Sequence, residues 1–216
     1  MFFNDIVEAG AVEGHILIKD LTTDRILVNK RNKINFENMS VALANSAANA
    51  GQSIFEMHFG NGGATVDASG AITYKTPNTD IASGNLYSGK FFKVIDATDS
   101  NNTSTSSNYM TVNHTSGQNY SDIIVTCTMD YGEPVASDTT FNLAGVDQGT
   151  LDNNASVDGT FVFDELGLRA RAGSLGAGIL LSHVIFHPVE KSANRVIQVI
   201  YTIRIRCGWY GLYNNR

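Results

Sequence analysis

The stretch from Ser192 to Trp209, SANRVIQVIYTIRIRCGW, constrains the fold of this chain more than any other. Ile197, Val199, Tyr201, Ile203, Ile205 and Cys207 share one phase of a two-residue period, while Gln198, Thr202, Arg204 and Arg206 share the other, with Val196 and Ile200 as its apolar exceptions. Strand side chains alternate between faces and β-branched residues suit a pleated surface, so the stretch predicts one long strand with a single buried face. Such a face needs partners. The same alternation recurs in Ile16 and Ile18, in Phe55, Met57 and Phe59, and in Ile123, Val125, Cys127 and Met129.

Taken in order, Val12 to Lys19 and Arg25 to Lys30 predict an antiparallel hairpin, joined by an Asp- and Thr-rich turn over residues 20–24. From Asn35 the period changes to three and four through Phe36, Met39, Leu43 and Ala47, which predicts a helix capped by Asn35 and ending near Gly51. Ser53 to Phe59 returns to strand and runs into Gly60-Asn61-Gly62-Gly63, where glycines are expected to supply positive φ for a sharp turn. A polar stretch over 64–89 precedes a strand at Lys90 to Asp96; Thr98 to Ser121, rich in Asn, Ser and Thr, predicts a loop. Strands are expected at Asp122 to Asp130, around Phe161 and Phe163, and at Ile179 to His187, with Pro188 to Asn194 as a hairpin connection into the final strand.

The residues whose side chains are capable of chemistry read as structural. His183 and His187 share a strand face but are too far apart to hold one metal ion alone, and the glycine run lacks the Lys-Ser/Thr of a phosphate loop. Asp164 and Glu165 are adjacent and should point to opposite faces, so they are not expected to act on one bond. Ser182-His183 is adjacent in the same way, and no nucleophile elbow accompanies any serine. The expectation is therefore no catalytic residues, no metal and no cofactor. Cys127 and Cys207, both on apolar strand phases, are expected to be reduced.

A net charge of −6, with no evident cluster of Lys and Arg, argues against a nucleic-acid partner. The opening residues lack a signal-peptide pattern, and no apolar run approaches the roughly 18 residues of a membrane span, so no membrane partner is expected. Two features suggest protein contacts instead. Arg204 and Arg206 form a cationic stripe on the polar phase of the long strand, suited either to solubility or to docking an acidic neighbour. Beyond Gly208, Trp209, Tyr210 and Tyr213 make an aromatic tail expected to pack on a neighbouring surface.

The order of these features resembles a diffuse group of tailed-bacteriophage virion structural proteins, loosely from Gly14 to Arg206. The residues that carry it are Lys30-Arg31-Asn32 before an alanine-rich helix, the strand and Phe-Gly-Asn-Gly-Gly turn from Ile54 to Gly63, and Ile72-Thr73-Tyr74 with Pro77-Asn78. Then come Phe163 to Leu168 (FDELGL) and His187 to Asn194 (HPVEKSAN) before the last strand. The resemblance implies a non-enzymatic subunit of a phage particle, found in the virion after synthesis in the host cytoplasm, with other copies of itself and neighbouring virion proteins as partners. The expected fold is mostly β: an antiparallel β-sandwich with one packed α-helix near residues 35–50 and long polar loops, as one domain over 1–216. The expected station is the tail, neck or baseplate; the alternatives are a capsid decoration protein or fibre anchor and, in another class, a receptor- or carbohydrate-binding module.

Overall fold

A computed structural model describes residues 12–48, 51, 53–134 and 160–206. They form twelve strands and one helix: β1 (Val12–Asp20), β2 (Arg25–Arg31), β3 (Lys33–Ile34), α1 (Phe36–Ala47), β4 (Ile54–Gly60), β5 (Ala64–Val66), β6 (Ile72–Tyr74), β7 (Gly89–Val94), β8 (Tyr109–Asn113), β9 (Tyr120–Met129), β10 (Thr160–Ala170), β11 (Leu180–Ser192) and β12 (Ile197–Arg206). Two five-stranded sheets, ordered β2-β1-β12-β9-β8 and β3-β11-β10-β4-β7, are antiparallel throughout, and β5-β6 is a separate hairpin. Ile16, Ile18, Val125, Cys127, Val199, Tyr201 and Ile203 of the first sheet share one buried core with Met57, Phe59, Phe163, Leu168 and Phe186 of the second, so the mostly-β sandwich with one helix is the observed fold.

The long strand is β12, and it sits at the centre of its sheet between β1 and β9. Its buried positions alternate through Ile197, Val199, Tyr201 and Ile203, as a sheet with one dry face requires. The β1-β2 turn is fixed by Asp20, which accepts from the amides of Thr22 and Thr23, the Thr23 hydroxyl and Arg195 Nε. Burial opposes the charged form, but these bonds prevail and hold the Asp20 carboxyl down at about 2.

The second sheet departs from the expected pattern in several places. β11 and β12 lie in different sheets, and β11 runs on through Pro188 to Ser192, so residues 188–194 are not a hairpin connection. Pro188 is tolerated because β3 pairs with β11 only at Ser182 and His183, leaving no ladder there for an amide to join, and the β10-β11 register shifts at this point. Thr98 to Ser121 is not all loop: it contains β8, an edge strand on β9. Asn side chains build the turn before it, Asn102 Nδ2 bonding the carbonyls of Asp96 and Asn108 while Asn108 Oδ1 accepts from Thr128 N. The helix has the predicted cap, with Asn35 Oδ1 accepting from Asn38 N, but its buried face is rotated. Asn38, Met39 and Ala42 are buried, whereas Phe36 is 67% exposed and Leu43 36%.

The glycine turn also works differently from expectation. None of Gly60, Gly62 and Gly63 has positive φ; they are small because the chain passes too close to its neighbours. A Cβ on Gly60 would lie 2.5 Å from both Glu165 Oε1 and the Ser88 carbonyl, and one on Gly62 would lie 2.8 Å from Ser88 N.

Candidate functional site

β10 carries the chemistry-bearing residues, and a bulge decides where they point. Its core positions are Phe161 and Phe163 before the bulge and Leu166, Leu168 and Ala170 after it, so the alternation changes phase at Asp164-Glu165. The two carboxylates, expected on opposite faces, therefore converge on the same loop. Asp164 accepts from the amides of Gly63 and Ala64 at 2.9 and 2.8 Å, and Glu165 from Gly62, Tyr87 and Ser88 at 3.1, 2.9 and 2.7 Å. Glu165 is fully buried and also bonds His183 Nε2 at 3.0 Å, while His183 Nδ1 accepts from Asn78 N. That amide fixes the imidazole tautomer, placing the donor proton on Nε2. Burial would raise the Glu165 pKa, but bonds from His183, Ser88 and Tyr87 outweigh it and hold the carboxyl below its ordinary value. Asp164, with burial dominant, is raised.

Such a carboxylate-imidazole pair invites a catalytic reading. Its geometry instead ties down loops: all four acceptor contacts of Glu165 go to backbone or to His183, and neither residue reaches solvent. A second network does the same nearby, where Glu56 binds His58 Nε2 and Gly176 N, and Arg169 donates to the Gly178 carbonyl and to Asn85. Desolvation lowers the His58 pKa to about 4, with the bond to Glu56 opposing it. His187, expected on the same face as His183, is exposed and bonds the Tyr74 hydroxyl at 3.0 Å, because the register shift in β11 separates the two environments. No group of three or more metal-ligating side chains occurs among the described residues.

The loops held this way border a cationic groove. It has a volume of about 620 Å³ and lies between the β2 edge, Val184 to His187 of β11, and Tyr74, Lys75 and Pro77. Lys30, Arg31, Lys33 and Lys75 line it together with His187, and no Asp or Glu does. All four cations are exposed, and among the described residues none of them is in an ion pair. Lys30 Nζ donates to the Ile185 carbonyl, Lys75 lies 4.4 Å from the Tyr87 ring centre, and its field reaches the buried Asp164. Arg31, Asn32 and Lys33 also line a second groove, of about 510 Å³, which carries Glu13, Phe36, Glu37 and Asp80. That shared wall is held by Asn32, whose side-chain amide donates to the Tyr201 hydroxyl and to the Lys33 carbonyl. Gly14 has to be glycine for Asn32 to fit, since a Cβ there would overlap Asn32 Oδ1.

The residues singled out in the sequence lie elsewhere. Arg204 finds its acidic neighbour within the chain: Nε and Nη2 bond the two Asp122 oxygens at 2.7 and 2.8 Å, and the guanidinium lies 4.0 Å from the Tyr120 ring centre. Arg206 is 3.7 Å from Glu13, and its Nε is buried without a partner among the described residues. The Arg204-Arg206 stripe is thus engaged inside its own sheet. Trp209, Tyr210 and Tyr213, like Cys207, lie outside the described residues. The groove was missed because charge was weighed over the whole chain, although Lys30-Arg31-Asn32-Lys33 places three cations in four residues. No helix among the described residues is long and apolar enough to cross a membrane. Comparison with protein-family models, with curated proteins and with solved structures found no match to this chain.

Proposed function

We propose that the chain is a non-enzymatic structural subunit of a tailed-bacteriophage particle, in its tail, neck or baseplate, repeated and joined to its neighbours through sheet edges, loops and termini. The observation that carries the reading is the use made of the buried charges. Glu165, His183, Glu56, Arg169 and Lys191 all bind loop backbone, so the described loops at these points are tied to the strands of the sandwich. Fixed surfaces lower the ordering cost of association, which a repeated subunit meets at every contact. The order of motifs along the chain supports the same reading.

A carbohydrate-binding module would need open aromatic platforms in the long loops. Tyr74 and Tyr87 are 49% and 43% exposed, but Tyr74 bonds His187, Tyr87 bonds the Thr76 carbonyl, and Lys75 sits over the Tyr87 ring. These contacts occupy two of the exposed loop aromatics, while Tyr131 is 63% exposed, so the subunit reading is carried by the loop network and the order of motifs. Quantitative mass spectrometry of purified particles from the phage that encodes this chain tests it. A fixed integer copy number per particle is expected, matching a ring for a tail, neck or baseplate station and a shell for a decoration protein. Absence from intact particles would overturn the reading.

A further inference from the structure

The two grooves that share the Arg31-Asn32-Lys33 wall differ in charge: acids line only the second. The first carries cations over an apolar floor that includes Leu27, Val184 and Phe186. The second carries Glu13, Glu37 and Asp80, of which only Glu13 has an ion-pair partner among the described residues, and beside them stands Phe36. Phe36 is 67% exposed at the first position of α1, rigidly placed by the Asn35 cap. The adjoining loop is bound to the same helix start, since Asn35 Nδ2 and Asn38 Nδ2 donate to the carbonyls of Ile81 and Ala82. The result is a fixed knob with an aromatic tip and two free carboxylates. An unburied aromatic is the residue type enriched at interfaces, and the acids beside it supply charge complementary to the first groove.

We infer that the cationic groove receives the Phe36-Glu37-Asp80 knob of a second copy of this chain. The ring would enter over Leu27 and Phe186, while Glu37 and Asp80 would meet Lys30, Lys33 and Lys75. Knob and groove are different surfaces, so a single contact leaves one of each free on the pair and propagates into a ring or a stack unless the two copies close on each other reciprocally. The inference rests on the reading of the chain as a repeated subunit, yet its test needs no particle.

The experiment is sedimentation of the full-length protein over a range of concentrations at low and at 0.5 M salt. Wild type is expected to associate with concentration, less so at high salt. Phe36→Asp and Glu37→Lys on the knob, and Lys75→Glu in the groove, should each weaken association at least tenfold while the protein stays folded, with a midpoint lowered only by the lost first-turn acid of α1 in Glu37→Lys and the lost Tyr87 contact in Lys75→Glu. An equimolar mixture of Phe36→Asp with Lys75→Glu has one intact knob and one intact groove, and should stop at a dimer. A wild type that stays monomeric at millimolar concentration, whether or not it retains a polyanion such as double-stranded DNA, overturns the inference. So does undiminished association of the variants. Either result would leave a measured copy number in particles standing, so the two readings fail separately.

Discussion

Replacing Glu165 by glutamine would keep the shape of the side chain and remove half of its function. Oε1 accepts from Gly62 N and Ser88 N, and Oε2 from Tyr87 N and His183 Nε2, all in a fully buried site. The amide of a glutamine would turn an NH2 group toward two of these donors, and His183 cannot relieve the conflict because Asn78 N holds its other nitrogen as acceptor. Two charge-assisted bonds at about 1.5–3 kcal/mol each give a loss of about 3–6 kcal/mol. At about 2–4 °C per kcal/mol for a domain of this size, the thermal midpoint should fall by about 6–24 °C. The pH dependence supplies a second reading of the same site. The folded-state pKa of Glu165 is lowered from 4.5, so its stabilisation is present above that value and is lost as pH falls below it through the folded value. Asp164, raised by burial, acts in the opposite sense and offsets part of this acid limb. Differential scanning calorimetry of wild type and Glu165→Gln from pH 3 to pH 7 should therefore show a smaller loss at low pH in the variant. A midpoint within about 3 °C of wild type at pH 7, where roughly 1 kcal/mol or less is at stake, would refute the claim that Glu165 holds the loops.

Gly60→Ala should cost about 1–3 kcal/mol by overpacking against the Ser88 carbonyl and Glu165, whereas Gly173→Ala, with no atom within 4 Å of the added Cβ, should be close to neutral in urea denaturation. In a Cys207→Ser background, a thiol reagent should find no reactive group in the native protein and one in denaturant, because Cys127 is buried and its thiol is pushed up to about 12. Lys191, buried among the carbonyls of Asp130, Glu133 and Ser192, has its pKa lowered by desolvation to about 8. Between about 8 and 10.5 the unfolded chain binds the proton and the folded chain does not, so this group makes stability rise with pH there, and Lys191→Met should flatten that rise in chemical denaturation between pH 7 and pH 10.

What could be read from sequence follows the physics of one-sided burial. β12 was legible because it is a central strand with one dry and one wet face, and its alternation carries straight into the burial pattern. β10 and β11 were only partly legible because segments from both sides cover their sheet: β11 is buried continuously from Leu180 to Phe186, and period two says nothing there. The bulge at Asp164-Glu165 has no local signature; its cause is the set of amides at Gly62, Gly63 and Ala64, a hundred residues away in the chain. The helix start was placed correctly, but the helix ends at Ala47 with Ala48 as its C-cap, short of Gly51, and its face was not anticipated. Asn38 is buried to donate to the carbonyls of Leu180 and Ala82, and a hydrophobic periodicity assigns no inward position to an asparagine.

The grooves show the same division between local and distant information. Lys30, Arg31 and Lys33 are neighbours in sequence, but Lys75 and His187 reach them only through the β5-β6 hairpin and the shifted register of β11. Arg204 and Arg206, by contrast, are adjacent on one strand phase, and register gives Arg204 its partners within the sheet. The β9-β12 ladder sets Arg204 opposite Asp122, and the β1-β12 ladder sets it opposite Glu13, so both sheet neighbours of the arginine are carboxylates. Cross-strand opposite charges stabilise a sheet from within, and a cation already bonded through two nitrogens has little left to offer a partner. The cations lining the groove have no such opposite number: β2 is the edge of its sheet, with only β1 beside it, and β3 covers just two residues of β11. Charge that a ladder neutralises is structural, and charge at an unpaired edge remains available for contact. By that criterion, among the described residues, the surface around Lys30 to Lys33 is suited to a partner.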